Sequence, residues 1–310
     1  MLKQKNILIT GVTGFIGKHL AKKLQRLDAN VFGISRSHRG KNTYMLDICN
    51  YSDLEKFIIE HKISICFHLA GESIVEKGQK EPYATFSTNI TGTLNILEIA
   101  RKHSLERVII TSSSHIYGDN NVPYLESYFP RPSRPYETSK TCTDLIAQSY
   151  ATSFNLPVLI PRFVNIYGPG DKNFTRLIPK TIKAIFLNEP VTMWGGKAVR
   201  DYLYISDAVN AFLQLATVDM NNIKENNIVN FGGDNIISVE ELIHMIVRLS
   251  GKKKRITIIR HQRPYELRKQ FVSFAKANKS LLWEPQISLE EGIKKTITWY
   301  EAYFSRNVAV

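Results

Sequence analysis

The chain has 310 residues, 43% of them hydrophobic, and its 41 Lys+Arg against 28 Asp+Glu give a formal net charge of +13. That length and apolar content are enough for one large or two modest globular domains with a real core. No stretch approaches the roughly 18 apolar residues of a membrane helix, and the first ten residues hold too short an apolar run for a secretory signal, so a cytoplasmic protein without membrane association is expected. Cys49, Cys66 and Cys142 are too widely spaced for a disulfide framework or a zinc site. The positive field favours an anionic partner. Nucleic acid is not expected: the densest basic stretch, GKKKRITIIRHQRPYELRK from Gly251, carries no zinc finger, RNP signature or interleaved stacking aromatics.

The first apolar run, Ile7 to Ile9, reads as a buried strand, followed by Gly11, Gly14 and Gly17 in ITGVTGFIG and by a helix over 15–27. A strand, a glycine turn and a helix bring backbone N–H groups at a helix N-terminus against a pyrophosphate, where the helix dipole favours negative charge. Gly11, Thr13, Gly14, Phe15, Ile16 and Gly17 are therefore candidate dinucleotide contacts. The second strand, NVFGI, ends in SRSHRG. An acidic residue there would bind the ribose hydroxyls of NAD, whereas an arginine accommodates a 2′-phosphate. With Ser35 and Arg36 in that place, NADP(H) is favoured, and NAD(H) stays possible if Arg36 merely stacks on adenine.

Further along come a helix over 52–60, the strand ISICFHLA, a long helix over 83–102, the strand RVIITSS, a helix over 136–154 and the strand LPVLIPRF. Such alternation of Ile- and Val-rich strands with helices implies an α/β, Rossmann-type doubly wound parallel sheet. The second half is more mixed, with turns at YGPGD and MWGGK and helices near 206–216, 238–249 and 289–300. The expected division is a dinucleotide-binding domain over 1–163 with a returning segment about 200–232, and a smaller mixed α/β substrate-binding lobe over 164–199 and 233–310.

PYETSK puts Tyr136 and Lys140 four residues apart, on one face of a helix. A phenol with a reference pKa near 10 is a poor proton carrier at neutral pH, and a neighbouring ammonium favours its phenolate.

TGVTGFIG, FHLAG, STNITGTLNILE, TSSSHIYG, YETSK, PRFVNIYGPGD and VRDYLYISDAV follow one another in an order that resembles the extended short-chain dehydrogenase/reductase family of nucleotide-sugar epimerases, dehydratases and reductases. The resemblance runs over nearly the whole chain. It implies that Asp47 and Ile48 hold the adenine, that Leu69, Ala70, Gly71 and Phe163 line the coenzyme, and that Asn89 lies near it. It also implies a catalytic set of Ser113, Tyr136 and Lys140, with Ser113 preferred to Ser112 or Ser114 by counting back from Tyr117. The family's 4,6-dehydratases carry an Asp–Glu pair after that serine or threonine. Ser114 and His115 stand there instead, so dehydration is not expected. His115 falls where the related GDP-fucose synthases have a catalytic cysteine, and either exchanges protons beside a ketone or simply lines the pocket.

By the same resemblance Asn165 and Arg200 contact the substrate's diphosphate or sugar. Leu177 and Ile178 of RLIPKTI lie beside its base. Arg263 and Glu266 of RPYE bind phosphate and ribose, although Tyr265 replaces a glycine of the family pattern. The expected substrate is a nucleotide-diphosphate sugar. The favoured reaction is NADP(H)-dependent reduction of a 4-keto-6-deoxy sugar at C4, as in GDP-4-keto-6-deoxy-mannose reductases and CDP-abequose synthases. A 4-epimerase is the alternative, and a non-catalytic dinucleotide sensor is disfavoured by the complete catalytic set. A homodimer through the helices over 83–102 and 136–154 is expected.

Overall fold

Three apolar residues, Ile7, Leu8 and Ile9, form the centre of strand β1 (Asn6–Thr10) and are inaccessible to solvent. They can be buried on both faces only because the sheet is parallel and covered on both sides. The computed structural model describes residues 2–223, 226–251, 258–261 and 267–307. Around β1 lie β2 (Asn30–Ser35), β3 (Thr43–Met45), β4 (Ile65–His68), β5 (Arg107–Ile110), the two-residue β6 (Ser112–Ser113), β7 (Val158–Phe163) and β8 (Ile228–Phe231). Their spatial order is β8-β7-β5-β4-β1-β2-β3, with β6 beside β7, and every pairing is parallel. This is the Rossmann-type sheet the alternating runs imply. β3 is an extra edge strand that its short, half-exposed sequence did not announce.

Helices α1 (Phe15–Gln25), α2 (Tyr51–Glu60), α3 (Gly92–Lys102) and α4 (Pro135–Phe154) connect the strands. Leu20 and Leu24 of α1 pack into one apolar layer and Leu54, Phe57 and Ile58 of α2 into the other, so the sheet is wound on both faces. Each such fully buried side chain stabilises the fold by about 1.5–3 kcal/mol. The expected long helix over 83–102 is interrupted: Pro82–Phe86 and α3 are joined by a π-helical turn at Ser87–Thr91. There the buried amide of Asn89 leaves the helix to bind Glu72.

After β7 the chain builds a second group of elements. Asn165–Tyr167 pairs with Tyr202–Tyr204, Val199–Arg200 with Ile237–Ser238 and Lys269–Gln270, and Val191–Trp194 with Ile258–His261. The longer helices here are α5 (Leu177–Leu187), α6 (Ile205–Thr217), α7 (Val239–Leu249) and α8 (Leu289–Asn307). α6 packs against α1, and β8 then rejoins the main sheet beside β7. Among the described residues no helix is long and apolar enough to cross a membrane.

Candidate functional site

β1 has β2 on one side and β4 on the other, so the chain order reverses there and the loops after β1 and β4 diverge. In an open parallel sheet, ligands bind at this switch point, beyond the carboxyl ends of the strands. A cleft of about 1180 Å³ opens there and continues into the second group of elements. That is room for more than one extended ligand.

On the β1 side the wall is Gly11, Thr13, Gly14, Phe15, Ile16 and Gly17. Gly11 has φ +72°, and a Cβ there would lie 2.9 Å from the Ala70 backbone nitrogen. At Gly17 a Cβ would overlap the carbonyl of Gly11. Gly17 therefore seats α1 on the loop's own backbone. α1 begins at Gly14 with no side-chain cap and no acidic residue in its first turn. Its first N–H groups have no partner inside the helix and are open to an anion. These features fit a dinucleotide diphosphate. Ser35 and Arg36 line the same end of the cleft, with the Ser35 hydroxyl 3.2 Å from that of Thr13. Ile48, Leu69, Ala70, Gly71 and Phe163 also line it.

Two expected coenzyme contacts have partners within the protein. Asp47 is exposed in the turn before α2, where its carboxylate accepts from the Cys49 N–H (2.9 Å), and it is not part of the cleft wall. Asn89 lies behind the wall: its amide accepts from Glu72 N (2.7 Å) and donates to Glu72 O (3.1 Å) and the Ser139 hydroxyl (2.9 Å). Its work is to hold the turn after β4 against the start of α4.

Ser113, Tyr136 and Lys140 meet at the cleft floor, Ser113 from β6 and the other two from α4. Burial pushes the Tyr136 phenol above its ordinary pKa, while the Ser113 hydroxyl beside it and then Arg176 favour the phenolate. The Lys140 ammonium donates to the Thr111 carbonyl at 2.7 Å. Burial lowers Lys140 to about 8, against the opposing pull of Asp144. Lys140 thus sits on the shared helix face with its ammonium on the Thr111 carbonyl. Arg176 is a second cation that bears on Tyr136.

His115 also lines the cleft, its ring edge-on to Tyr136 with centroids 6.0 Å apart. Behind it lies Glu137, 3% exposed, whose Oε1 is 3.9 Å from His115 Nδ1 and whose Oε2 accepts from the Ser133 N–H and hydroxyl, both at 3.0 Å. Burial opposes ionisation of Glu137. The interactions with His115 and Ser133 outweigh it and hold the carboxyl below its usual range.

On the far wall stand Asn165, Leu177, Ile178 and Arg200. Asn165 donates to the Asp201 carbonyl (3.2 Å) and Arg200 Nη1 to the carbonyl of Val199 (2.8 Å). Arg263 and Glu266 lie outside the described residues. Among the cleft residues outside the expected set are Arg176 and Glu137. Arg176 immediately precedes α5, pairs with Asp171 (3.1 Å) and reaches Ser73 across the cleft (3.3 Å). The available signals were their positions: Arg176 adjoins Leu177, and Glu137 follows Tyr136.

A glycine turn under an uncapped helix, at the switch point of a parallel sheet and facing a Ser-Tyr-Lys set, defines a dinucleotide-dependent oxidoreductase site in the extended short-chain dehydrogenase/reductase class. The chain belongs to the NAD dependent epimerase/dehydratase family, whose profile matches residues 7–232. It is similar to a UDP-glucuronate 4-epimerase of Thermodesulfobacterium geofontis, 28% identical over 94% of this chain and 95% of the relative. Among solved structures, UDP-glucose 4-epimerase of Thermotoga maritima with UDP-glucose superposes with a TM-score of 0.89 at 29% identity, over 96% and 99% of the two chains. UDP-glucuronic acid 4-epimerase of Bacillus cereus, in complex with UDP-glucuronic acid and NAD, gives 0.86 at 25% identity over 96% and 99%.

Proposed function

We propose that this protein is an NAD(P)-dependent oxidoreductase acting at C4 of a nucleotide-diphosphate sugar, working as a 4-epimerase. The observation that carries this reading is the convergence of Ser113, Tyr136 and Lys140 on the floor of a cleft whose other end is the glycine turn and the uncapped start of α1. The likeness to the two solved 4-epimerases described above supports the choice within the class. A bound nicotinamide dinucleotide supplies hydride exchange with the sugar carbon. Gly11, Thr13, Gly14 and the N–H groups of α1 would hold its diphosphate, and Leu69, Ala70, Gly71 and Phe163 its flanks. Tyr136 takes the C4 hydroxyl proton and returns it, Ser113 orients the sugar oxygen by hydrogen bonding, and Lys140 stabilises the ionised phenol and the coenzyme's ribose. Asn165, Arg176 and Arg200 meet the diphosphate and sugar, and Leu177 and Ile178 the base.

A second reading rests on Arg36. A cation at the end of β2 suits the 2′-phosphate of NADP(H), the coenzyme of a net reduction such as that of a 4-keto-6-deoxy sugar nucleotide. One experiment separates the two. The purified protein is given UDP-glucose, and separately a 4-keto sugar nucleotide with NADPH. Interconversion of C4 epimers with no change at 340 nm supports the epimerase; stoichiometric loss of NADPH absorbance with no epimer formed overturns it in favour of the reductase. Leu94 of α3 and Leu145 of α4, both large, apolar and exposed, are available to the proposed homodimer. A light-scattering mass that falls to 35.4 kDa in Leu145→Glu checks it.

A further inference from the structure

Behind the catalytic floor runs a buried polar network centred on Asp144, one helical turn beyond Lys140 on α4. Asp144 is 0% exposed, and both its oxygens are occupied. Oδ2 accepts from the Ser112 hydroxyl (2.6 Å) and Arg162 Nε (2.9 Å); Oδ1 accepts from Arg162 Nη2 (2.8 Å) and Gln148 Nε2 (2.6 Å). Arg162, on β7, also donates to the Tyr117 hydroxyl (2.8 Å), which donates in turn to Asn230 on β8 (2.8 Å). A buried ion pair gives little net stability over a well-packed apolar pair. Its place here asks for another reason.

Two of its connections point at the site. Ser112 immediately precedes Ser113 on β6, a strand of two residues whose pairing is with β7. Lys140 shares a helix face with Asp144. The titratable groups around Lys140 among the described residues are Tyr136 and Asp144 on α4 and His68 on β4, with Arg162 of β7 behind Asp144. From the segment after β5 it meets the Thr111 carbonyl. His68 is 3% exposed and held between the hydroxyls of Thr10 (2.9 Å) and Thr93 (3.2 Å). Burial, and then Lys140, lower its pKa to about 3, so it is neutral at neutral pH. Asp144 is left as the anion that acts on Lys140.

We propose that Asp144 is a positioning residue: its carboxylate fastens the Ser112–Ser113 strand to α4 and sets its charge one helical turn from Lys140, with Arg162 as its fixed counter-ion. The inference rests on the C4 oxidoreductase reading for its purpose, but one arm of its test does not need turnover. Lys140 is labelled with acetic anhydride across pH, and its acetylation is read by peptide mass spectrometry. In the paired variant Asp144→Asn/Arg162→Gln, which keeps hydrogen-bonding groups while removing both charges, the labelling midpoint should fall by about one pH unit. In Ser112→Ala, which keeps the ion pair, the midpoint should stay and kcat should fall about tenfold with KM within about twofold. Thermal unfolding checks that both variants fold. An unmoved midpoint in the paired variant, or full kcat in Ser112→Ala, overturns the proposal. A wild-type protein that turns over no nucleotide sugar overturns the functional reading instead, while the labelling midpoint still decides the role of Asp144.

Discussion

α1 follows β1 through the glycine turn, α7 follows Ile237–Ser238 directly, and both reach the cleft, yet they begin in opposite ways. α7 is closed by a capping box, with the Ser238 hydroxyl accepting from the Glu241 N–H (3.2 Å) and the Glu241 carboxylate accepting from Ser238 N (3.0 Å). α1 has no side-chain cap at all. A cap is worth about 1 kcal/mol to a helix, so forgoing one leaves donors for something outside the chain. The contrast extends to the two walls. On the β1 side the ligand-facing groups are backbone N–H groups already aimed outward. On the far side Asn165, Arg176 and Arg200 all bind within the protein, so a ligand that took these donors would exchange partners with them. On the proposed assignment, the coenzyme wall is organised in advance and the substrate wall would be organised by its ligand.

The largest expected effect falls at the seam between the walls. Tyr136→Phe removes the proton carrier without disturbing the α1 turn. kcat should fall by about 10²–10⁴-fold, while the dissociation constant for coenzyme, measured by fluorescence titration, stays within about twofold. A coenzyme affinity that fell alongside kcat would mean the walls are not independent, and the comparison would fail.

The same asymmetry governs what could be read from the chain. The β1 wall comes from residues 11–17, 35–36 and 69–71, and its features, glycines with no room for a Cβ at 11 and 17 and an arginine rather than an acid at the end of β2, are written locally. So is the i,i+4 pairing of Tyr136 with Lys140. Asp47 and Asn89 each also serve the fold, which their places in the sequence do not announce. An aspartate before a helix can satisfy the turn, as Asp47 does with Cys49. A polar residue in a helix can serve the backbone of a neighbouring loop, as Asn89 does with Glu72. Arg176 depends on Ser73, 103 positions away in the chain, and on Asp171. No local pattern encodes that meeting. The Lys140 ammonium likewise turns to Thr111 because a strand end, invisible in the helix pattern, presents a carbonyl to it.

An intermediate effect is expected from pH, and its two readouts should move in opposite directions. Burial brings Lys140 from its ordinary 10.5 to about 8 in the folded protein. Between those values the unfolded chain binds more protons than the folded one, so this residue makes stability rise with pH across that window. Activity needs the ammonium and should fall about tenfold per pH unit above about 8. Denaturant unfolding and kcat, measured on one set of buffers from pH 7 to roughly 10, check the divergence. In Lys140→Met the rise in stability should vanish. If it persists, another group carries it and the buried ammonium is not the source.

The smallest effect tests the outer end of the preorganised wall. Arg36 lines the cleft at the end of β2, beside Ser35. Its guanidinium has no resolved role in the fold's core, being exposed, so Arg36→Ala should leave the melting temperature unchanged. If the arginine meets a 2′-phosphate, the dissociation constant for NADPH should rise about tenfold, the size of one charge-assisted hydrogen bond to an anion, and that for NADH should hardly move. If it stacks on adenine instead, both constants should rise together by a smaller factor. Titration of the two coenzymes against wild type and variant distinguishes a wall that reads the phosphate from one that reads only the ring, and with it the reductase reading from the epimerase.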